Sequence, residues 1–227
     1  MTGRVKVGVA IAVGATVLFA AGSLLWFNRP FQTELGSYRT SLVDRTEAQY
    51  HNIRQAVLAL DGVVIEPGES FSFNDNVGPR IPERGYREAP AFMERDLVTS
   101  VGGGVCQVSS SLYNAALLSG LTIVERHAHF RRVTSVPPGR DATVWYGAAD
   151  LKFKNQFAYP VRLNLKVEKE GLGVLITGDF INRAQNIVMV QPLVVSRYGV
   201  QSYRTIRLVE DRGDFREEVV SVDFYRI

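Results

Sequence analysis

The sequence predicts an α+β fold, and three observations carry that prediction. Two stretches repeat apolar residues at three- and four-residue steps, the signature of helices with one buried face. Beyond Asp150 the chain alternates apolar and polar residues, as strands of an antiparallel sheet do. Between these regions, Gly102-Gly103-Gly104 opens directly onto the second helical stretch, which carries the sole cysteine, Cys106. The expected architecture is a mixed helix and antiparallel-sheet core around a Gly-rich loop and a Cys-bearing helix. An N-terminal membrane-anchor helix precedes it and a β-rich part follows.

The chain has 227 residues, 46% hydrophobic and 22% charged, which excludes disorder and collagen. One cysteine excludes an internal disulfide. The net charge of +3 comes from Arg4, Lys6 and Arg29, which precede the first acidic residue, Glu34. Without them basic and acidic residues balance, so a nucleic-acid-binding surface is not expected.

Val7 to Phe27 lacks charge and is long enough, at about 1.5 Å per helical residue, to cross a hydrocarbon layer of about 30 Å. Arg4 and Lys6 before it favour a cytoplasmic N-terminus, placing the rest outside the cytoplasm. Ala20 to Ser23 would supply a signal-peptide cut, giving a secreted protein instead. Leu24, Leu25, Trp26 and Phe27 beyond that point favour an uncleaved anchor.

A polar linker is expected next, over residues 31–44. Val43 to Leu60 reads as a helix whose Ala48, Ile53, Ala56, Val57 and Leu60 share a face, closed by Asp61-Gly62. Short strands follow at Val63 to Ile65 and around Phe71 and Phe73, separated by Pro67-Gly68. Residues 74–100 read as loop, punctuated by Gly78-Pro79, Pro82, Gly85 and Pro90. Val105 to Ser119 is the second helix, with Gly120 at its C-terminus. Strands are expected at Leu121 to Glu125 and, after Pro137-Pro138-Gly139, at Ala142 to Tyr146. A hairpin turning at Glu170-Gly171 follows, then strands at 187–195, 203–210 and 217–225.

Cys106 begins a helix whose N-terminal partial charge lowers a thiol pKa, which is what a nucleophilic cysteine requires. Helix geometry suggests its partner. Cys106 to Ser119 spans about 20 Å of helix. A strand returning from Leu121 covers the same length in six steps, bringing His127 level with Cys106. His129 points to the same strand face, and Asp141 begins the next segment. Cys106, then His127 or His129, then Asp141 would form nucleophile, base and orienting carboxylate. The backbone amides after Gly104, or the Gln107 side chain, would stabilise an oxyanion, Gly103 and Gly104 would border the substrate, and Arg126 and Arg140 would hold a substrate carboxylate. The alternatives are a core cysteine, a carboxylate-binding glycine loop and a zinc site of Cys106 with His127 and His129. Three ligands on two elements make zinc the weakest, so no metal or cofactor is expected.

An ordered set of motifs resembles the VanW family. It runs through Asn52-Ile53, Leu60-Asp61-Gly62, Pro67-Gly68-Glu69-Ser70-Phe71-Ser72-Phe73-Asn74 and Val77-Gly78-Pro79-Arg80. It continues with Gly102 to Ser109, Leu112-Tyr113-Asn114, Glu125-Arg126-His127, His129, Gly139 to Val144 and Asp150 to Phe153. The resemblance covers about residues 45–180, leaving 1–30 as anchor or signal segment, 31–44 as linker and 181–227 as a β-rich extension. It implies a bacterial envelope protein, usually membrane-anchored, of a family named after an accessory protein of vancomycin-resistance gene clusters. The expected function is a cysteine-nucleophile amide hydrolase or acyl transferase with peptidoglycan or a cell-wall peptide as partner. The alternative is a non-catalytic wall- or partner-binding module.

Overall fold

The computed structural model describes residues 31–93, 96–179, 185–195, 199–211 and 213–226. The anchor or signal segment over 1–30 lies outside them. Among the described residues no helix is long and apolar enough to cross a membrane. The architecture is mixed and sheet-rich, with few helices and antiparallel sheets.

Strand β1 (Thr33–Ser41) precedes helix α1 (Glu47–Leu60). The pair β2 (Val64–Ile65) and β3 (Ser70–Ser72) leads to a short helix α2 (Phe73–Val77). A hairpin of β4 (Glu88–Met93) and β5 (Asp96–Val101) delivers the chain to α3 (Val105–Leu118). Then come β6 (Thr122–Glu125), β7 (Lys152–Lys154), β8 (Val161–Glu168) and β9 (Gly171–Gly178). The chain closes with β10 (Gln185–Val195), β11 (Val200–Asp211) and β12 (Asp214–Arg226). Strand order is β1-β9-β8-β2, β3-β7-β6 and β10-β11-β12 in the three larger sheets.

Helix α3 is the axis of the molecule. Every residue from Val105 to Leu117 is buried except Cys106, which remains partly exposed. It packs on β1, β9, α1, β6 and β10. A helix this enclosed must satisfy its polar side chains internally. Ser111 Oγ donates to Gln107 O at 2.8 Å and Ser119 Oγ to Ala115 O at 2.7 Å. Ser109 donates to Ala142 O at 2.7 Å and Asn114 to Arg140 O at 2.7 Å, so two of these groups also hold the loop opposite.

Several expectations change. The segment 31–44 is not a linker: Thr33–Ser41 pairs with β9 along its length. A register shift between Glu34 and Gly36 breaks the period-two pattern that would have marked it as a strand. Helix α1 starts at Glu47 rather than Val43, because Thr46 and Gln49 form a capping box there. Phe73 begins a helix, since Ser72 caps it through the Asp75 amide. The 74–100 stretch contains the β4–β5 hairpin, whose edge strand tolerates Pro90. Ala142 to Tyr146 makes only isolated bridges, such as His127 with Thr143, because its carbonyls serve α3 side chains instead of a sheet.

Candidate active site

The glycine turn is shaped by steric necessity. Gly102 and Gly104 have φ of 85° and 99°, a region that favours glycine. Gly103 is required for a different reason: a Cβ there would lie 2.4 Å from the Ala89 carbonyl oxygen. Buried Asn52 clamps the turn to the hairpin, donating to Gly103 O at 3.0 Å and Arg87 O at 2.8 Å and accepting from the Arg87 amide at 2.8 Å. The turn ends at Gly104, the N-cap of α3, so Cys106 is the second helical residue. There the partial positive charge of the helix start acts on its sulfur.

The structure brings Cys106, His129 and Asp141 together. His129 Nδ1 bonds Asp141 Oδ2 at 2.6 Å, and the same oxygen accepts the His129 amide at 2.6 Å. With Nδ1 committed, Nε2 is the ring nitrogen left for the Cys106 thiol, whose Sγ donates to Val144 O at 3.6 Å. Burial opposes ionisation of Cys106, but the His129 bond and charge, Val144 O and Arg80 outweigh it, so the thiol lies below its ordinary value. Burial likewise opposes the His129 imidazolium, yet Asp141 and Cys106 raise it to about 9. The two shifts run in the directions that favour a thiolate beside an imidazolium.

His127 goes elsewhere. Its Nε2 pairs with Glu125 Oε1 at 3.0 Å, and its side chain is 47% exposed. Strand β6 ends at Glu125 after a register shift between Ile123 and Glu125, so the level return falls two residues later, on His129. The two histidines do not converge on the sulfur. Among the described residues no group of three metal-ligating side chains forms, so the zinc alternative has no geometry.

Asp141 is itself held. Its Oδ1 accepts from Arg126 Nη2 at 3.0 Å and from the Tyr225 hydroxyl. Arg126 Nε donates to Asp141 O at 2.6 Å and its Nη1 pairs with Asp223. Tyr225 accepts the Gly139 amide at 2.7 Å, and burial followed by the nearby Asp141 charge keeps its hydroxyl protonated as a donor. Burial opposes the Asp141 charge, but His129 and Arg126 reverse this and depress its pKa.

Arg126 is thus a buried support of Asp141 rather than a ligand for substrate. Arg140 is also turned inward, bonded to Asn114 Oδ1 and stacked over Tyr38 at 5.4 Å. The Gln107 side chain is likewise spoken for. It donates to Thr40 Oγ1 at 3.1 Å and Ser41 O at 2.7 Å and accepts from Arg45 at 2.6 Å. Most amides of the turn are spoken for as well: Gly102 N donates to Arg87 O at 3.0 Å, Gly103 N to Ser100 O at 3.2 Å and Val105 N to Gly102 O at 3.1 Å. That leaves the Gly104 and Cys106 amides as oxyanion donors, and Gly103, Gly104 and Cys106 line the cleft.

That cleft has a volume of about 610 Å³ and is walled by Cys106, His129, Arg80, Arg45, Trp145 and Tyr146 among others. Sequence reasoning gave Arg80 no place in the site and missed Asp223 and Tyr225. For Arg80, the Gly78-Pro79 turn that aims it was a usable signal. The alternation of β12, which buries both Asp223 and Tyr225, identifies an inward face but no destination.

The family model described as VanW like protein matches residues 48–177. The chain is 43% identical over 152 residues to the uncharacterized protein YoaR of Bacillus subtilis (strain 168), covering 66% of this chain and 50% of that protein. It is 33% identical over 130 residues to the vancomycin B-type resistance protein VanW of Enterococcus faecalis (strain ATCC 700802 / V583), covering 54% of this chain and 47% of that one. The chain spans about half the length of these curated relatives. No solved structure matches it. With the family model spanning more than half of its residues, the chain belongs to the VanW family.

Proposed function

We propose that this protein is an extracytoplasmic cell-envelope enzyme, held at the bacterial membrane by its N-terminal segment, that cleaves or transfers an amide-linked acyl group of peptidoglycan peptides. The observation that carries the chemistry is the Cys106–His129–Asp141 array opening on a cleft. The relative named for vancomycin B-type resistance supports the envelope setting.

The thiolate of Cys106 attacks the carbonyl carbon, and the oxygen takes the charge beside the Gly104 and Cys106 amides at the helix start. His129 imidazolium gives its Nε2 proton to the leaving amine as the carbon–nitrogen bond breaks, leaving a thioester on Cys106. Neutral His129 then takes a proton from water or an incoming amine, which attacks the thioester and expels the thiolate. Asp141 fixes the ring orientation throughout by its bond to Nδ1.

The test is incubation of purified protein with peptidoglycan and its soluble stem peptides, read by mass spectrometry. New amines or new cross-links with wild type and none with Cys106→Ala are expected. Tight retention on cell-wall fragments, unaltered by Cys106→Ser and without any product, would replace the enzyme by a non-catalytic wall-binding module.

A further inference from the structure

The cleft beside Cys106 contains two guanidinium groups, Arg80 and Arg45, that take no part in the bond-making steps above. Arg80 Nη1 donates to Asn74 Oδ1 at 2.8 Å and to Gly78 O at 2.9 Å, both neutral acceptors. Arg45 Nε donates to the neutral Gln107 Oε1. Among the described residues neither makes an ion pair, whereas Arg39, Arg87, Arg126 and Arg207 all do. The carboxylates nearest to them are otherwise engaged or weakly placed. Asp150 bonds Ser72 Oγ at 2.5 Å and the Asn74 amide at 2.9 Å. Asp44 lines the cleft next to Arg45, not next to Arg80.

Arg80 is also rigidly set. Its stem lies against Gly102, where a Cβ would come within 2.7 Å of Arg80 Cβ, and its head lies 5.9 Å from the Tyr146 ring. The same glycine turn therefore positions both the nucleophile and this cation. Partial burial strips water from the guanidinium, which lines the cleft with Cys106; its hydrogen bonds go to neutral acceptors, and the charge it feels most is that of the Cys106 thiolate. A partly desolvated cation with no carboxylate ion pair is a receptor for an anion, and a guanidinium fork matches a carboxylate.

We infer that Arg80 is the specificity residue of the cleft, binding a free carboxylate on the acyl donor close to the carbonyl that Cys106 attacks, with Arg45 adding a second positive charge. The inference rests on the cysteine-nucleophile reading above. It restricts the substrate to peptides that carry an acidic group near the scissile bond.

Iodoacetate and iodoacetamide test it, since they alkylate a thiolate by the same displacement of iodide and differ in one carboxylate. The rate ratio of acetate to amide reagent at Cys106 is measured for folded wild type, for the unfolded chain, and for Arg80→Gln and Arg80→Lys. The expected ratio for wild type exceeds that of the unfolded chain by about tenfold at low salt, and falls with ionic strength. Arg80→Gln should lose most of that preference and Arg80→Lys should keep part of it, with iodoacetamide rates correcting for any change in the thiolate itself. A wild-type ratio equal to that of the unfolded chain overturns the inference without recourse to a variant, and so does a ratio unaltered by Arg80→Gln. An iodoacetamide rate no faster than in the unfolded chain would instead remove the nucleophile, and this inference with it.

Discussion

At the scale of the residue, the proposed chemistry turns on two atoms, Cys106 Sγ and His129 Nε2, and on which proton state they share. The thiol is lowered and the imidazole raised to about 9, both shifts in the sense that favours the ion pair. Iodoacetamide modification of Cys106 against pH should show a midpoint below the ordinary thiol value of about 8.5. His129→Ala removes the bond and charge that overcome burial, so its midpoint should move above the wild-type one. His127→Ala should leave the profile in place, because that ring is engaged with Glu125. The proposed turnover has a second limb. Leaving-group protonation requires imidazolium, so activity should fall as pH rises through about 9, while alkylation, which needs only thiolate, should not. A common upper limb for both measurements would mean that His129 has no role as acid.

At the scale of the element, the site is the place where a glycine turn, an irregular loop and the last strand meet. The Gly103→Ala Cβ would press on the Ala89 backbone, which cannot step aside as a side-chain end can. Thermal or denaturant unfolding should show a loss of about 1–3 kcal/mol, with slower Cys106 alkylation as the hairpin lifts from the helix tip. Tyr225→Phe tests the last strand. It removes a donor to Asp141 and orphans the buried Gly139 amide, a cost of about 1–3 kcal/mol. A fully stable Tyr225→Phe with unaltered alkylation would show that β12 only covers the site. These elements differ in how plainly the sequence announces them. Helix α3 and the β8–β9 hairpin have unbroken periodicity, and the three glycines before Cys106 point to the nucleophile without any contact being known. The choice of His129 over His127 depends on a register shift near Ile123, a backbone irregularity with no residue signature. The inward Arg126 and Arg140 were read as substrate ligands because an arginine beside a histidine looks alike whether it faces water or a buried carboxylate.

At the scale of the whole molecule, segments far apart in sequence share one buried charge network. Arg126 follows β6, Asp141 lies in the loop beyond Pro138, and Asp223 and Tyr225 belong to β12. The matched segment 48–177 contains the first two and neither of the last two, so it lacks part of the support for its own Asp141. β1, which pairs with β9 at one edge of the first sheet, also lies outside it. Arg207 makes a further tie, donating from β11 to Leu121 O at 2.9 Å, just past the C-terminus of α3, while paired with Glu218. Removing the central charge tests the coupling. Asp141→Asn keeps the volume but leaves Arg126 with Asp223 alone and the His129 imidazolium without its counter-charge. Breaking a buried pair in this way costs about 3–5 kcal/mol, which denaturant titration at pH 7 should register. The sign against pH follows from the depressed Asp141 pKa. The stability it contributes is present above its unfolded value of about 3.9 and is lost as pH falls through the lower folded value. The gap between wild type and Asp141→Asn should therefore be widest near neutrality and narrow below about pH 4. A gap of constant size across that range would place the effect of the substitution in packing rather than in charge, and the network would no longer explain how the last strand bears on Cys106.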